Sequence, residues 1–363
     1  MSERAIDIRR VARTLTLVEN RRPEAEGVLR EAYRLARHIP VLGVTGPPGA
    51  GKSTLVDRLA VRWAEAGERV AVIAVDPSSP HTGGAVLGDR FRMDRASAHE
   101  RVFVRSLSAR GHVGGLSRAV QDVVTVLAAL EFDRVIVETV GSGQADVEVA
   151  LLADCVAVVT VPGLGDQIQA SKAGILEIGD VYAVNKQDLP GAGTAAGHLE
   201  ANLDLIYPGR PGLNASGPHG SQRPPAGNPA VWGRHGSAAA AGAFWRPPVL
   251  RLSARDGAGV EALAVAVDEF LAWQRHSGRT AARRTERFQS HILRLAFGRL
   301  LALQAAHSGG ADPLGRLADA VASGSTTPDR AVDTLLGTLF ETWRRQAQAA
   351  ASDPAQPVSR DGR

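Results

Sequence analysis

Lysine is nearly absent from this chain. Of 42 lysines and arginines, only Lys52, Lys172 and Lys186 are lysine; the other 39 are arginine. The three that remain mark places where a compact ammonium on a flexible stem does what a planar guanidinium cannot. Cysteine is scarcer still. Cys155 stands alone, which excludes an internal disulfide and fits a reducing compartment. Long apolar runs are missing, and none approaches the ~20 residues of a membrane-spanning helix. Glu3, Arg4, Asp7, Arg9 and Arg10 crowd the N-terminal stretch. They leave no room for a secretory h-region, and their acids disfavour a mitochondrial transit peptide, so a cytoplasmic location is expected. The formal net charge of +4 is modest. It gives no reason to expect a nucleic acid or a membrane as partner, and the arginine-rich stretch 279–287 reads as a solvated helix start or a dimer contact.

What is present begins with Lys52. It lies in Gly46-Pro47-Pro48-Gly49-Ala50-Gly51-Lys52-Ser53-Thr54, which fits the phosphate-binding pattern G-x-x-x-x-G-K-S/T. Glycines let successive backbone N–H groups turn inward around phosphates, and the helix that follows adds its positive end. Lys52 is expected to reach the β- and γ-phosphates, and Ser53 to give Mg²⁺ a hydroxyl. The apolar run Ile39–Val44 before the loop reads as a buried strand, and Leu55–Ala66 after it has helical spacing.

The choice of base rests on a second lysine. Asn185-Lys186-Gln187-Asp188 follows the strand-like Val181–Val184. A carboxylate only accepts hydrogen bonds. Guanine offers Asp188 its N1–H and N2–H₂ together; adenine has no such pair and would leave the acid unpaired. Lys186 is expected to lay its stem over the base. Val249–Ala254 is another strand-like run ending in Ser253-Ala254, where G proteins touch guanine through backbone.

Between these motifs lie elements suited to sensing the γ-phosphate. Arg134–Thr139 reads as a strand that carries Glu138, with Gly141 just beyond, a D-x-x-G element with glutamate for aspartate. Glu138 is expected to hold Mg²⁺ through water, and the Gly141 N–H to meet the γ-phosphate. Asp76 closes the strand-like Val70–Val75, and Asp89 follows in a loop. Hard Mg²⁺ takes oxygen ligands, so both aspartates are candidates; the alternative is that they cap loops. No glutamine follows Gly141, and Ser142 stands there instead. Gln144 is then the candidate for positioning water, and slow intrinsic turnover is expected.

Five stretches together resemble one family: Thr45–Thr54, Val75–Met93, Phe103–Ala119, Val137–Gln144 and Pro162–Asp188. They look like the methylmalonyl-CoA mutase-associated GTPases, the MeaB/ArgK group of dimerising P-loop GTPases. The resemblance runs from about residue 8 to about residue 349, with the segment 191–245 and the tail outside it. It implies a GTP-hydrolysing chaperone of a cobalamin-dependent acyl-CoA mutase, one that gates the loading, protection and reactivation of adenosylcobalamin. It also implies that Asp76, Asp89 and Glu138 are Mg²⁺ and switch carboxylates. Asp166 and Lys172 then belong to a third switch that couples nucleotide state to the mutase; the alternative for Lys172 is a solvated helix face. Ser142 and Ala145-Asp146 depart from the family pattern, so the partner could equally be an isobutyryl-, 2-hydroxyisobutyryl- or ethylmalonyl-CoA mutase. No D-x-H-x-x-G occurs, so a cobalamin-ligating motif is missing and the cofactor is expected to stay with the partner. Two other readings remain open. A nickel-insertion GTPase of the same branch would show clustered Cys and His. A kinase or ATPase of basic amino-acid transport conflicts with Asp188.

The expected architecture is α/β: a P-loop GTPase whose parallel sheet is covered by helices on both faces, with N-terminal helices and a C-terminal helical extension. Residues 1–37 read as an N-terminal helical segment and 38–276 as the GTPase domain, with strands near 41, 71, 103, 135, 156, 182 and 250. Within that domain, 191–245 is rich in Gly, Ala and Pro and is expected to be a largely disordered insertion. Its widely spaced His198, His219 and His235 give a weak hint of metal. In 277–350 two helices are expected, the second starting at Thr327-Pro328-Asp329 and bearing Val332, Leu335, Leu336, Leu339, Phe340 and Trp343 on one stripe. This stripe packs on the chain's own GTPase domain or, as the resemblance implies, forms a homodimer arm. Residues 351–363 read as a disordered tail.

Overall fold

The computed structural model describes residues 6–20, 22–76, 93–108, 115–139, 149, 151–163, 178–207, 244–307 and 313–352. Among these, seven strands form one parallel sheet in the order β3-β2-β4-β1-β5-β6-β7. They are β1 (Val41–Thr45), β2 (Val70–Asp76), β3 (Val102–Ser108), β4 (Arg134–Thr139), β5 (Cys155–Thr160), β6 (Val181–Val184) and β7 (Val249–Arg251). β1, β4, β5 and β6 are buried at every position, as β-branched runs covered on both faces must be. All seven expected strands are present, and Cys155 is buried in β5.

Alternate residues divide the sheet between two cores. One face sends Val41, Ile73, Phe103, Val135, Val156 and Tyr182 into a cluster with Val11 and Leu15 of α1 (Ile8–Glu19), Ala32 of α2 (Ala25–Leu35), Val123 and Leu127 of α5 (Gly115–Ala129), and Leu199 and Leu203 of α6 (Ala192–Ile206). The other sends Leu42, Val72, Ile136, Ala157 and Ala183 against Leu55, Leu59 and Trp63 of α3 (Lys52–Glu65), Ala96 of α4 (Asp94–Ala98), and Leu263 and Phe270 of α7 (Val260–His276). The N-terminal helices thus share the core of the sheet.

The chain divides into two compact units, residues 1–291 and 292–363. The helix α8 (Arg279–His307) is continuous through that point. The second unit also holds α9 (Pro313–Ala322) and α10 (Pro328–Ser352). α10 begins as expected, with the Arg330 N–H donating to the Thr327 hydroxyl at 3.4 Å.

Two expectations are corrected. The stretch 191–245 is not unstructured at its start: α6 occupies 192–206 and buries Ala192, Ala196, Leu199 and Leu203. Half of that stripe is alanine, so a helical period was present but its hydrophobic contrast was too low to stand out. Among the described residues the C-terminal region has three helices where two were expected, because Pro313 starts α9, a short helix whose apolar stripe spans barely three turns.

Candidate functional site

β1 lies between β4 and β5, with β2 and β3 beyond one and β6 and β7 beyond the other. The crevice at the carboxyl ends of strands around such a switch point is where open α/β sheets bind ligands. The phosphate loop runs from there, between β1 and α3. Gly46 has φ 140°, and a Cβ on it would lie 1.9 Å from the Val159 carbonyl oxygen of β5. Gly51 has φ 85° and precedes α3; a Cβ there would lie 2.4 Å from Asn185 Nδ2. At both places only glycine fits. Pro48 and Gly49 are exposed at the crest, and Ala50 is buried beneath. Ser53 and Thr54 open the first turn of α3, whose leading N–H groups lack helical partners and favour an anion. Lys52 folds into the curve of its own loop. Its buried ammonium donates to the Gly46 carbonyl at 2.8 Å and the Pro47 carbonyl at 3.0 Å.

Oxygen donors stand beside the loop. The Ser53 hydroxyl donates to Glu138 Oε1 at 2.6 Å. Glu138 is level with Val44 of β1 and Ala74 of β2 in the sheet register and is buried. A hydroxyl and a carboxylate brought together at a phosphate loop are hard donors of the kind Mg²⁺ takes, so this pair fits the ion. Asp76 ends β2, two positions beyond Ala74 and in register with Ser108. Asp89, Gly141, Gln144, Asp166 and Lys172 lie outside the described residues.

The base motif is tied to the phosphate loop through Asn185, which is buried. Asn185 Nδ2 donates to the Ala50 carbonyl at 2.7 Å, and Asn185 Oδ1 accepts the Ala254 N–H at 2.8 Å. One side chain thereby joins the phosphate loop, the end of β6 and the loop after β7. Lys186 holds a left-handed φ of 59°, which for a side-chain-bearing residue costs about 1 kcal/mol or more. It is held there by the Gln187 N–H on the Leu252 carbonyl at 3.0 Å and the Leu189 N–H on the Lys186 carbonyl at 2.9 Å. Asp188 is half-exposed and faces Arg255 Nη2 at 3.5 Å.

Sequence reasoning missed several groups that shape this site. Arg58 of α3 donates from Nε and Nη2 to the carbonyls of Ala254 and Arg255, clamping the loop that carries Ser253 and Ala254. The Ser253 hydroxyl donates to Asp256 Oδ2 at 2.8 Å and, with Arg255, holds the Asp256 carboxyl below its usual range. The Thr139 hydroxyl donates to that of Thr45 at 3.2 Å, joining the ends of β4 and β1. A hydroxyl residue closing an aliphatic strand would have been a usable signal for the threonines. Nothing local marks Arg58 or Arg255.

A loop of inward N–H groups at a helix start takes phosphates, and an acid that accepts only takes a base edge with paired donors. Proteins so built are P-loop GTPases, and this one hydrolyses GTP. The family described as "Methylmalonyl Co-A mutase-associated GTPase MeaB" matches residues 11–308, and the chain belongs to it. A GTPase-named protein of Pyrococcus horikoshii is 39% identical over 292 residues, covering 80% of this chain and 83% of that one. The GTPase ArgK of Escherichia coli is 41% identical over 182 residues, covering 49% and 55% of the two chains. The mouse methylmalonic aciduria type A homolog, a mitochondrial protein, is 29% identical over 344 residues, covering 90% and 75%. Among solved structures, that of the LAO/AO transport system kinase superposes with a TM-score of 0.66 at 24% identity, covering 92% and 94%. It shares the fold. No helix among the described residues is long and apolar enough to cross a membrane.

Proposed function

We propose that this GTPase serves a cobalamin-dependent acyl-CoA mutase, gating the loading, protection and reactivation of its adenosylcobalamin. The observation that carries the reading is the family match over residues 11–308, supported by likeness to the mouse methylmalonic aciduria type A homolog along 90% of this chain. Mg²⁺ would be the ion of the site, where it would offset the charge of the phosphates. Ser53 and Glu138 would hold it, with Asp76 and Asp89 completing the set directly or through water. Lys52 gives up the Gly46 and Pro47 carbonyls to meet the β- and γ-phosphates. Asp188 reads guanine, and Asn185 keeps the base and phosphate loops in step. The Gly141 N–H meets the γ-phosphate, Gln144 positions water, and Asp166 and Lys172 carry the nucleotide state toward the mutase. The working form is a homodimer. Val332, Phe340 and Trp343 of α10 and Ile292 and Phe297 of α8 leave apolar side chains exposed, as helices awaiting a partner surface do.

The test is GTP turnover by the purified protein, alone and with each of the methylmalonyl-, isobutyryl-, 2-hydroxyisobutyryl- and ethylmalonyl-CoA mutases. Turnover alone should fall below about one per second and rise with the cognate mutase. Lys172→Ala should cost far more of the stimulated rate than of the basal one. A rate that no mutase changes would overturn the proposal.

A further inference from the structure

Arg255 contacts the acid that reads the base. Its Nη2 lies 3.5 Å from Asp188 Oδ2, and its Nε lies 3.2 Å from Asp256 Oδ1. The chemistry of the contact is specific. Guanine's N1–H and N2–H₂ flank a carbon bonded to three nitrogens, so the edge that Asp188 recognises is itself a guanidine unit. Arg255 brings one edge of the same planar unit to the same carboxylate, a single N–H from Nη2 at 3.5 Å, while its Nε turns to Asp256. Without nucleotide, the side chain gives Asp188 one of the two donors that the base would offer it.

The surroundings decide how this contact can break. The backbone at Arg255 cannot withdraw. Arg58 holds the carbonyls of Ala254 and Arg255, Asn185 holds the Ala254 N–H, and the Ser253 N–H donates to the Ala258 carbonyl at 2.8 Å. Only the side chain can move, and it is free to do so, being 77% exposed. Asp256 supplies the alternative partner. Its carboxylate is anchored by the Ser253 hydroxyl, so a guanidinium displaced from Asp188 keeps a neighbouring anion.

We propose that Arg255 is an internal competitor for the guanine site: it occupies Asp188 when nucleotide is absent, yields it to the base, and remains on Asp256. This rests on the reading of Asp188 as the guanine-binding acid. Because the competitor stabilises only the empty site, it lowers the affinity for GDP and GTP alike. The effect is bounded by the strength of an exposed ion pair, which corresponds to about a two- to five-fold change in affinity. It is carried by charge across a solvated gap, so it fades with salt.

The experiment measures GDP affinity of the full-length protein by competition against a fluorescent GDP, at low and high ionic strength. Wild type, Arg255→Gln, Asp188→Ala and the double variant are compared as a cycle. Arg255→Gln should bind GDP about two- to five-fold more tightly at low salt, lose that advantage at high salt, and gain nothing when Asp188 is already alanine. Unchanged or weaker binding by Arg255→Gln overturns the proposal, as does an equal gain in the Asp188→Ala background. Wild type that binds ADP as well as GDP would remove the guanine reading itself, and the inference with it.

Discussion

In the proposed reading Asp188 sets the choice of base, because its two oxygens accept and cannot donate. Asp188→Asn exchanges one acceptor for a donor. Guanine then meets a clash of donors, whereas xanthine, with a carbonyl where guanine has its amino group, gains a match. The expected outcome is a loss of GDP affinity of about 10²-fold or more with recovered binding of xanthosine diphosphate, read by calorimetry. Asn185 offers no such exchange. It spends Nδ2 on Ala50 and Oδ1 on Ala254, inside the protein, so it ties the two halves of the nucleotide site together.

At the scale of elements, β1 is held at both ends. Its carboxyl end becomes the phosphate loop. Its amino end is fixed by Asp154, which precedes β5. Asp154 Oδ2 accepts the Val41 N–H at 2.9 Å, and Oδ1 accepts from Arg287 of α8 and faces His38 Nε2 at 3.4 Å. The Asp154 carbonyl accepts from Gln274 of α7 at 2.9 Å and from Arg283 at 2.5 Å. Burial pushes the carboxyl up, but Arg287, His38 and the Val41 N–H outweigh it and hold it down at about 2. A depressed acid stabilises the fold above its unfolded value near 3.8, and that stabilisation is lost as pH falls toward about 2. The shift is worth about 2 kcal/mol. Asp154→Asn should lower stability at neutral pH by about 3–5 kcal/mol, because Arg287 keeps a buried charge without its counter-ion. It should also flatten the loss of stability between about pH 4 and pH 2. Urea unfolding at pH 7 and pH 3 checks both; a variant with wild-type midpoints at both would show Asp154 to be dispensable.

For the whole molecule, residues 1–291 form the nucleotide-binding unit and 292–363 a second helical unit. On α10, Leu339 is buried while the neighbouring Phe340 is 55% exposed. Trp343, on the same stripe, is exposed as well. If it joins two copies, Phe340→Ser with Trp343→Ser should convert a dimer to a monomer in sedimentation analysis. GDP binding should survive, since neither residue belongs to the unit that holds the nucleotide loops. A dimer unaffected by both changes would place the contact elsewhere.

Much of this protein was legible along the chain, for a physical reason. A phosphate loop, a strand or an N-K-x-D turn is encoded by neighbours: glycines where φ must be positive, β-branched runs where both faces are covered, an acid where donors must be met. Lys52, Ser53, Asn185 and Asp188 announced themselves because their contexts are contiguous. α6 did not, because its alanines bury a face without much hydrophobic contrast. The strand order was also beyond the sequence, since parallel neighbours are set by packing between distant segments. So were Arg58 on the Ala254 loop, Arg255 on Asp188 and Arg287 on Asp154. Each joins residues far apart in the chain, and one arginine among 39 carries no mark of its carboxylate until the fold closes that distance.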